Sequence, residues 1–409
     1  MPAPVSQTSR RRHMNRHDTE PRQGWPATVE EQGLIYWKTP LPDGEEISYW
    51  HEGAYYSLTS EEVYDVEAIA RLMLEMLIEA GDYIIEENLF AQMGIPGWAV
   101  PRIRETWESE PPMLYGRFDF AYGHDGVAKL LEYNADTPTG LLESAAVQWH
   151  WARDVFGDGV DQWNMLHEML VARWREMAQA GRLPGERLHL LHTDAEQSGE
   201  DFMTIGYLTE TARAANLMCE LMAIESLGFV DGQGFVDLAG NPVRTAFKLY
   251  PWEWMVREDF GTQALEHMGD GDGQTVWIEP IWKMLWSNKG ILPVLHRLFP
   301  ENPNILPAWF DGEQPKDLRN FIRKPLLARE GANAAIVLDG EVVEEGPDQD
   351  YGEEGFVVQA YTDLGDYGGG ARPVLGVWTV DVEPAGLGIR ESDALLTTNT
   401  SRFVPHVIA

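Results

Sequence analysis

The most informative stretch of the chain is RFDFAYGHDGVAKLLEYNADTPTG, residues 117–140. Two runs of alternating apolar and polar residues flank a Gly-His-Asp-Gly turn, which predicts a β-hairpin. Side chains two residues apart share one face of a strand, so Arg117 lies with Asp119, and Glu132 lies with Asn134. Aspartate, asparagine and glutamate are depleted in strands. Their concentration in one hairpin therefore indicates a function.

The polar residues of this hairpin suit a metal ion if the two polar faces meet in the paired strands. Three oxygen donors and one guanidinium then converge in a small volume. Mg²⁺ prefers a few hard oxygen ligands and keeps positions for water and phosphate oxygens, and arginine binds phosphate or carboxylate through two parallel hydrogen bonds. The other interpretation is a solvated strand face with a surface ion pair. The strand register decides between the two.

Three basic residues further along the chain are candidates to bind phosphate groups. Lys289 stands in SNKG, at a polar break between apolar helical segments, and Arg390 ends a glycine-flanked strand in AGLGIRESD. Lys324, in FIRKPLLAREGAN, precedes a glycine-containing loop whose backbone N–H groups could cover phosphates. Taken alone, each is more typical of a solvated surface charge. No GxxxxGKS/T phosphate-binding loop is present.

Composition limits the classes of function. A chain of 409 residues exceeds the usual size of a single core, so we expect two or more lobes. The net charge of −35 disfavours nucleic acid and anionic membranes as partners, and would favour a cationic substrate. No apolar run is long enough to span a membrane. Cys219 is the single cysteine, so a disulfide framework is excluded, and without a secretory signal we expect a cytoplasmic location. The oligomeric state stays open.

The order of patterns predicts an α+β or α/β fold with at least two lobes. Residues 1–24, which are basic and lack an apolar run, are expected to be a disordered tail. Ser60 is the expected N-cap of a long amphipathic helix, and residues 143–180 are expected to be helical with one interruption. Residues 185–250 alternate strand and helix patterns, so they are expected to form an α/β part of their own. The last ninety residues are β-rich.

Five ordered motifs resemble a known family. They are the hairpin, KLYPWEWM (248–255), WIEPIWKMLWSNKGILPVL (277–295), RKPLLAREGAN (323–333) and EPAGLGIRESD (383–393). Over about residues 25–408 the chain resembles the glutathionylspermidine synthetase family of ATP-grasp ligases, and more closely its single-domain acid–amine ligase members. The resemblance implies an ATP-grasp fold with nucleotide held between two β-rich lobes. It also implies an inserted pre-ATP-grasp-like region at about 185–250 and a nucleotide-binding lobe at about 275–408.

The resemblance further implies a reaction and its site. ATP and Mg²⁺ would be used to join a carboxylic acid, such as a peptide or glutathione-like acid, to an amine, such as a polyamine, through an acyl phosphate. The implied magnesium ligands are Asp119, Glu132 and Asn134. The other implied matches are Arg117 to phosphate and the acid, Thr137 and Thr139 to the acid, Lys289 and Lys324 to nucleotide, Gln359 and Tyr361 to adenine, and Arg390 to the transferred phosphate.

Two departures from the family limit what the resemblance carries. Bifunctional members have an upstream amidase domain with a cysteine nucleophile, whereas Cys219 lies in mid-chain, so we expect no hydrolytic activity. The segment FKLYPWEW (247–254) differs from the bifunctional pattern, so the acid and the amine stay open. Two other functions also stay open: a non-catalytic binding protein for peptide or polyamine, and a glycoside hydrolase, which would need a carboxylate pair across a sugar cleft.

Overall fold

The structure is a computed structural model that describes residues 14–41, 44–123, 125–196 and 198–409. Its strands are β1 (Asn15–Asp18), β2 (Lys38–Pro40), β3 (Glu46–Ser48), β4 (Ala54–Leu58), β5 (Tyr115–Tyr122), β6 (Ala128–Asn134), β7 (Leu188–His192), β8 (Cys219–Ala223), β9 (Gly228–Val230), β10 (Gly234–Val236), β11 (Thr245–Lys248), β12 (Val276–Ile278), β13 (Ala308–Phe310), β14 (Phe321–Pro325), β15 (Ala335–Leu338), β16 (Glu341–Glu345), β17 (Phe356–Ala360), β18 (Arg372–Val380), β19 (Glu383–Ser392), β20 (Arg402–Val404) and β21 (His406–Ile408).

The helices complete a mixed α/β fold. They are α1 (Trp25–Glu31), α2 (Ser60–Glu86), α3 (Val100–Ser109), α4 (Gln148–Phe156), α5 (Leu166–Gln179), α6 (Glu200–Ala214), α7 (Trp252–Met255), α8 (Gly261–Glu266), α9 (Met284–Ser287) and α10 (Ile291–Leu298). A π-helical turn, Glu143–Val147, leads into α4. The predicted interrupted helical stretch is thus confirmed.

The predicted hairpin is confirmed as β5 and β6, at the edge of a five-stranded antiparallel sheet of order β20-β19-β18-β5-β6. Arg117 stands opposite Asn134, and Asp119 stands opposite Glu132. The alternate residues of the strands, such as Phe118, are buried in the core. A one-residue slip would turn these apolar residues outward, so burial enforces the register that brings the four polar side chains together.

A second antiparallel sheet has the order β13-β17-β14-β15-β16. The prediction of one nucleotide-binding lobe at about 275–408 is wrong in extent, because that segment contributes to four sheets. β12 lies in a parallel sheet, β18 to β20 lie beside the hairpin, and β21 pairs with β4. The long apolar strands β18 and β19 obtain their neighbours from β5 and β20. The pairing of β18 with β5, which lies far away in the chain, leaves no local signal in the sequence.

The α/β part expected at 185–250 is present as a parallel sheet of order β12-β11-β7-β8. Every residue of β7 is buried, as is usual for a parallel strand covered on both faces. The sheet extends past residue 250, because β12 pairs with β11 through Thr245 and Val276. We call residues 185–278 the parallel-sheet unit.

The prediction of a disordered tail is wrong for residues 14–24, and residues 1–13 lie outside the described part of the chain. Met14 is fully buried, and β1 pairs antiparallel with β4. Arg16, within β1, forms an ion pair with Glu391 of β19. The four residues of β1 carry no apolar alternation, so their order comes from partners that are distant in the sequence.

The N-cap of the long helix α2 lies one residue earlier than predicted. Thr59, not Ser60, is the N-cap: the Glu62 backbone N–H donates to the Thr59 hydroxyl, and the Thr59 N–H donates to the Glu62 carboxylate. This reciprocal capping box satisfies two backbone donors that the helix cannot satisfy itself. Within the described residues, no helix is both long and apolar enough to cross a membrane.

Candidate active site

A cleft of about 540 Å³ is lined by strands of both antiparallel sheets and by loops of the parallel-sheet unit. All of the site residues predicted from the sequence line this cleft. They are Arg117, Asp119, Glu132, Asn134, Thr137, Thr139, Lys289, Lys324, Gln359, Tyr361 and Arg390.

The polar face of the hairpin forms one wall. The Asn134 amide nitrogen lies 3.3 Å from a carboxylate oxygen of Asp119 and 3.3 Å from one of Glu132. Both carboxylates therefore converge on the same amide. Burial raises the pKa of Asp119, although the charge of Arg117 acts in the opposite direction.

Six basic residues of the described chain line the cleft. Four of them interact with Asp119 or Glu132, and we call these four the cation set: Arg117, Lys289, Lys324 and Arg390. The Lys289 ammonium lies 3.0 Å from the Glu132 carboxylate. Burial opposes the charge on Glu132, but attraction by Lys289 and Lys324 outweighs it and lowers the pKa of Glu132 to about 2. The carboxylate is thus ionised at neutral pH.

Lys324 is held deeper in the cleft, with 7% of its surface exposed. It donates to the side-chain oxygen of Gln359 at 2.8 Å and to the carbonyl of Leu131 at 3.2 Å. Burial lowers the pKa of Lys324 to about 8, although Glu132 attracts its charge. This lysine therefore loses its proton in mildly alkaline solution.

Arg117 is fixed at the centre of the hairpin face. Its guanidinium donates to both carboxylate oxygens of Asp119, at 2.7 and 2.9 Å. It also donates to the carbonyl of Thr139 and lies over the ring of Trp378. Arg117 thereby joins the hairpin face to the loop that follows β6.

Arg390 reaches the cleft from β19. It donates to the carbonyl oxygens of Thr398 and Ser401, at 2.8 and 3.1 Å, and lies over the ring of Tyr49. Its buried Nε has no hydrogen-bond acceptor among the described residues. The backbone thus fixes the guanidinium in the lining of the cleft.

An apolar wall borders the cleft near Gln359 and Tyr361. Gln359 accepts from Lys324 through its side-chain oxygen and donates to the Leu130 carbonyl through its nitrogen. Tyr361 packs against a cluster that includes Ile336. A mostly apolar surface with a few fixed polar groups is the usual environment of a ring-shaped ligand.

Arg329 is a cleft residue that the sequence reasoning did not single out. It donates to the hydroxyl of Thr137, and its guanidinium lies 5.2 Å from the ring centroid of Trp254. It therefore links the loop after β14 to the loop after β6 and to the parallel-sheet unit. The available signal was its position two residues before Gly331 in RKPLLAREGAN, the loop proposed to cover phosphates.

A buried ion pair between Asp136 and Lys248 was also missed. The Lys248 ammonium lies 2.7 Å from one Asp136 oxygen, and the Trp252 backbone N–H donates to the other at 2.8 Å. Burial lowers the pKa of Lys248, although Asp136 opposes the shift. The pair fixes the start of the Asp-Thr-Pro-Thr loop against the parallel-sheet unit. A lysine inside the apolar motif KLYPWEWM was the signal.

The parallel-sheet unit contributes carboxylates to the cleft, and we call Glu196, Glu200 and Glu253 the acidic set. Burial, followed by repulsion from Glu143, raises the pKa of Glu200 to about 8. Glu143 itself is fully buried and accepts a hydrogen bond of 2.6 Å from the Tyr49 hydroxyl. Burial also raises the pKa of Glu253, so the protonated forms of Glu200 and Glu253 are favoured.

A metal site at the hairpin would use few protein ligands. Across the described ranges, no group of three or more His, Cys, Asp or Glu side chains is arranged to hold a metal ion. Asp119 and Glu132 offer carboxylates and Asn134 offers an amide, all converging on one point. This donor set fits Mg²⁺, which is usually bound by one or two carboxylates with water and phosphate completing its shell.

Comparison with known proteins identifies relatives. The family model "Glutathionylspermidine synthase preATP-grasp" matches residues 16–409. The chain is 34% identical over 382 residues to the Haemophilus influenzae protein named "Putative acid–amine ligase", covering 91% of this chain and 94% of that one. It is 28% identical over 334 residues to trypanothione synthetase of Crithidia fasciculata, covering 76% of this chain but 49% of that protein.

A solved structure supports the overall fold. It is the glutathione synthetase-like effector of Globodera pallida, which matches with a TM-score of 0.55, 11% identity, and coverage of 94% of this chain and 98% of that one. At this identity the likeness concerns the fold alone.

Proposed function

The chain belongs to the glutathionylspermidine synthase preATP-grasp family, and on this basis we propose that it is an ATP-dependent ligase with an ATP-grasp fold. Its reaction joins a carboxylic acid to an amine. In the first step a carboxylate oxygen attacks the γ-phosphorus of ATP, the bond to ADP breaks, and an acyl phosphate forms. In the second step the amine nitrogen attacks the acyl carbon, phosphate leaves, and the nitrogen loses a proton.

The observation that carries this proposal is the charge distribution of the cleft. The chain has 31 basic and 66 acidic residues, yet six basic side chains of the described residues line the cleft, and four of these surround two carboxylates and an amide. A phosphate chain with a divalent cation has the complementary charge pattern. Phosphoryl transfer needs mainly positioning and charge neutralisation from the protein, and these residues are suited to both tasks.

Asp119, Glu132 and Asn134 would hold Mg²⁺, which, when bound, neutralises charge on the phosphates. The pKa of Glu132, lowered to about 2, keeps that ligand ionised at every pH of physiological interest. The Asn134 amide carries both an oxygen and a nitrogen, so it can hydrogen-bond the carboxylates or ligate a cation.

The cation set would offset the charge of the transferring phosphoryl group. Lys289 and Lys324 lie beside Glu132 and would bind phosphate oxygens of the nucleotide. Arg390 is held in the cleft lining by the carbonyl oxygens of Thr398 and Ser401 and would stabilise the phosphoryl group in transfer. Gln359, Tyr361 and the neighbouring apolar residues would border the adenine ring.

The acid substrate would lie on the other side of Arg117. Arg117 contacts the Thr139 carbonyl, and Arg329 contacts the Thr137 hydroxyl. The two guanidinium groups and two threonine hydroxyls can bind the carboxylates and amides of a short peptide-like acid. Arg329 joins the site here through its contacts, in addition to the residues that the motifs indicated.

The amine would approach from the acidic set. Glu200 and Glu253 line the cleft, and burial raises the pKa of both. A cationic amine such as a polyamine would offset the repulsion that Glu143 exerts on Glu200 and that Asp136 exerts on Glu253. We therefore favour an amine that carries a second positive charge.

Two other functions have less support. A non-catalytic binding protein would not need basic residues around a candidate metal site. In this chain, all the residues matched to the reaction line one cleft. A glycoside hydrolase would work without ATP. The family's named relatives are ligases and synthetases, which favours neither alternative.

The test is phosphate release from Mg-ATP, screened against a matrix of peptide acids and polyamines. The proposal expects release that requires an acid and an amine together, with a condensed product one water lighter than the two substrates by mass spectrometry. Phosphate release that does not depend on the acid and the amine would contradict the proposal. So would the absence of phosphate release with every acid–amine pair.

A further inference from the structure

The strand that carries Arg390 has a second charged residue on its opposite face. Glu391 is fully buried, and three side chains hold its carboxylate. The Arg16 guanidinium donates to both oxygens, at 2.8 and 3.3 Å, Tyr56 donates at 2.6 Å, and Arg402 donates at 2.9 Å. A buried carboxylate shared by two arginines is costly to desolvate and is stable only with its partners in place.

This cluster closes the base of the loop between β19 and β20. Glu391 and Arg402 stand opposite each other in the pairing of the two strands. Arg402 also binds the carboxylate of Asp393 at 2.6 Å. The intervening loop supplies the carbonyl oxygens of Thr398 and Ser401 that hold the Arg390 guanidinium. Contacts on the face of β19 that carries Glu391 thus fix the loop that holds Arg390 on the opposite face.

We propose that Arg16 is a positioning residue for the reaction: through Glu391 and Arg402 it holds the 393–401 loop, and thereby fixes Arg390 in the cleft. Strand β1, which carries Arg16, then supports the active site, although Arg16 does not line the cleft. The kinetic part of this proposal rests on the proposed ligase function.

Arg16 is the member of the cluster that can be changed with least damage to the fold. Without it, Glu391 keeps the hydrogen bonds from Tyr56 and Arg402. What is lost is the paired contact with both oxygens, which fixes the orientation of the carboxylate as well as its charge. Lysine can restore the charge but not the fork geometry.

The first experiment measures hydrogen exchange of the backbone amides in residues 397–404, in wild-type protein, Arg16→Gln, Arg16→Lys and Arg71→Gln. Arg71 is the matched control because it pairs with Glu383, at the other end of β19, on the surface. We expect about tenfold faster exchange in Arg16→Gln, a smaller increase in Arg16→Lys, and none in Arg71→Gln. Unchanged exchange in Arg16→Gln would overturn the proposal, and this measurement needs no substrate.

The second experiment uses the acid–amine pair found by the phosphate-release screen. Arg16→Gln should lower kcat about tenfold with little change in KM for Mg-ATP, and should lower it no further in an Arg390→Gln background. A normal kcat, or an equal loss in both backgrounds, would overturn the role through Arg390. If the wild-type protein shows no ligation, the proposed function fails, and hydrogen exchange still decides whether Arg16 holds the loop.

Discussion

Two glutamates on opposite sides of the cleft, Glu132 and Glu200, have pKa values shifted in opposite directions. Beside the hairpin, Asp119 and Glu132 each pair with a basic side chain, and the pKa of Glu132 falls to about 2, although burial raises the pKa of Asp119. In the parallel-sheet unit, carboxylates lie near other carboxylates, and the pKa of Glu200 rises to about 8. The same residue type is therefore ionised at neutral pH at position 132 and favours its protonated form at position 200. Net charge alone does not reveal this division.

The largest expected effect comes from the hairpin carboxylates. Asp119→Asn and Glu132→Gln should each reduce kcat by about a thousandfold, because each removes a charged ligand from the proposed metal site. The thermal midpoint should fall little, since the replacements keep the shape of the side chains. Phosphate release and thermal unfolding measure the two quantities.

The matched control for these variants is Asp125→Asn. Asp125 lies in the turn of the same hairpin and pairs with Lys129, outside the cleft. Its kcat should equal that of wild type. Near wild-type ligation by Asp119→Asn or Glu132→Gln would show that these residues do not hold the metal.

Lys324 provides the next largest effect and a distinctive pH dependence. Lys324→Met should lower kcat/KM for Mg-ATP by about a hundredfold. In wild type, kcat/KM should fall as pH rises through about 8, because the free enzyme loses the Lys324 proton there. The variant should lack that alkaline fall. Lys316→Met, at an exposed lysine, should keep the wild-type profile, and an alkaline fall that persists in Lys324→Met would contradict the assignment.

Glu200→Gln tests the opposite side through stability. The folded-state pKa of Glu200 is raised from 4.5 to about 8, so the folded protein holds a proton that the unfolded chain releases, and stability is lost as pH rises through that window. In the Glu200→Gln variant this pH-dependent loss of stability is absent. We expect the ligand-free variant to melt about 2 °C above wild type at pH 8.5 and at the same temperature near pH 4.5.

The control for this measurement is Glu210→Gln, an exposed position on the same helix α6. It should change the melting temperature equally little at both pH values. A Glu200→Gln variant that behaves like this control would show that Glu200 holds no excess proton in the folded protein.

Salt dependence is the smallest expected effect. If the acidic set attracts a cationic amine, kcat/KM for that amine should fall about fivefold between low salt and about 0.3 M salt, because exposed fields are screened over about 8 Å at physiological ionic strength. The nucleotide must be kept saturating, since salt also weakens its contacts. A flat profile would remove the charge argument for the amine and leave the ligase assignment in place.

The sequence was most informative where the signal was local. The hairpin could be predicted with its polar faces because its turn and its alternation lie within 24 residues. Arg390 and Lys324 were found through glycine-rich motifs around them. The register remained an assumption until the structure showed Asp119 opposite Glu132.

The parts that could not be predicted depend on partners distant in the chain. Asp136 and Lys248 are 112 positions apart, and Arg16 and Glu391 are 375 apart. Each residue alone is an ordinary charged side chain, and only folding makes it buried and paired. The same reason explains why the lobe predicted at about 275–408 was wrong in extent: β18 and β19 belong to the sheet that contains β5.

The central claim, that the hairpin binds Mg-ATP, is tested most directly by thermal unfolding with and without nucleotide and metal. Saturating Mg-ATP at about 100 times its Kd should stabilise the wild-type protein by about 2.7 kcal/mol, and chelation of Mg²⁺ should remove most of the shift. In Asp119→Asn the shift should be small, whereas Asp125→Asn should keep it in full. A wild-type protein that Mg-ATP does not stabilise, or an Asp119→Asn variant stabilised as strongly as wild type, would contradict the account.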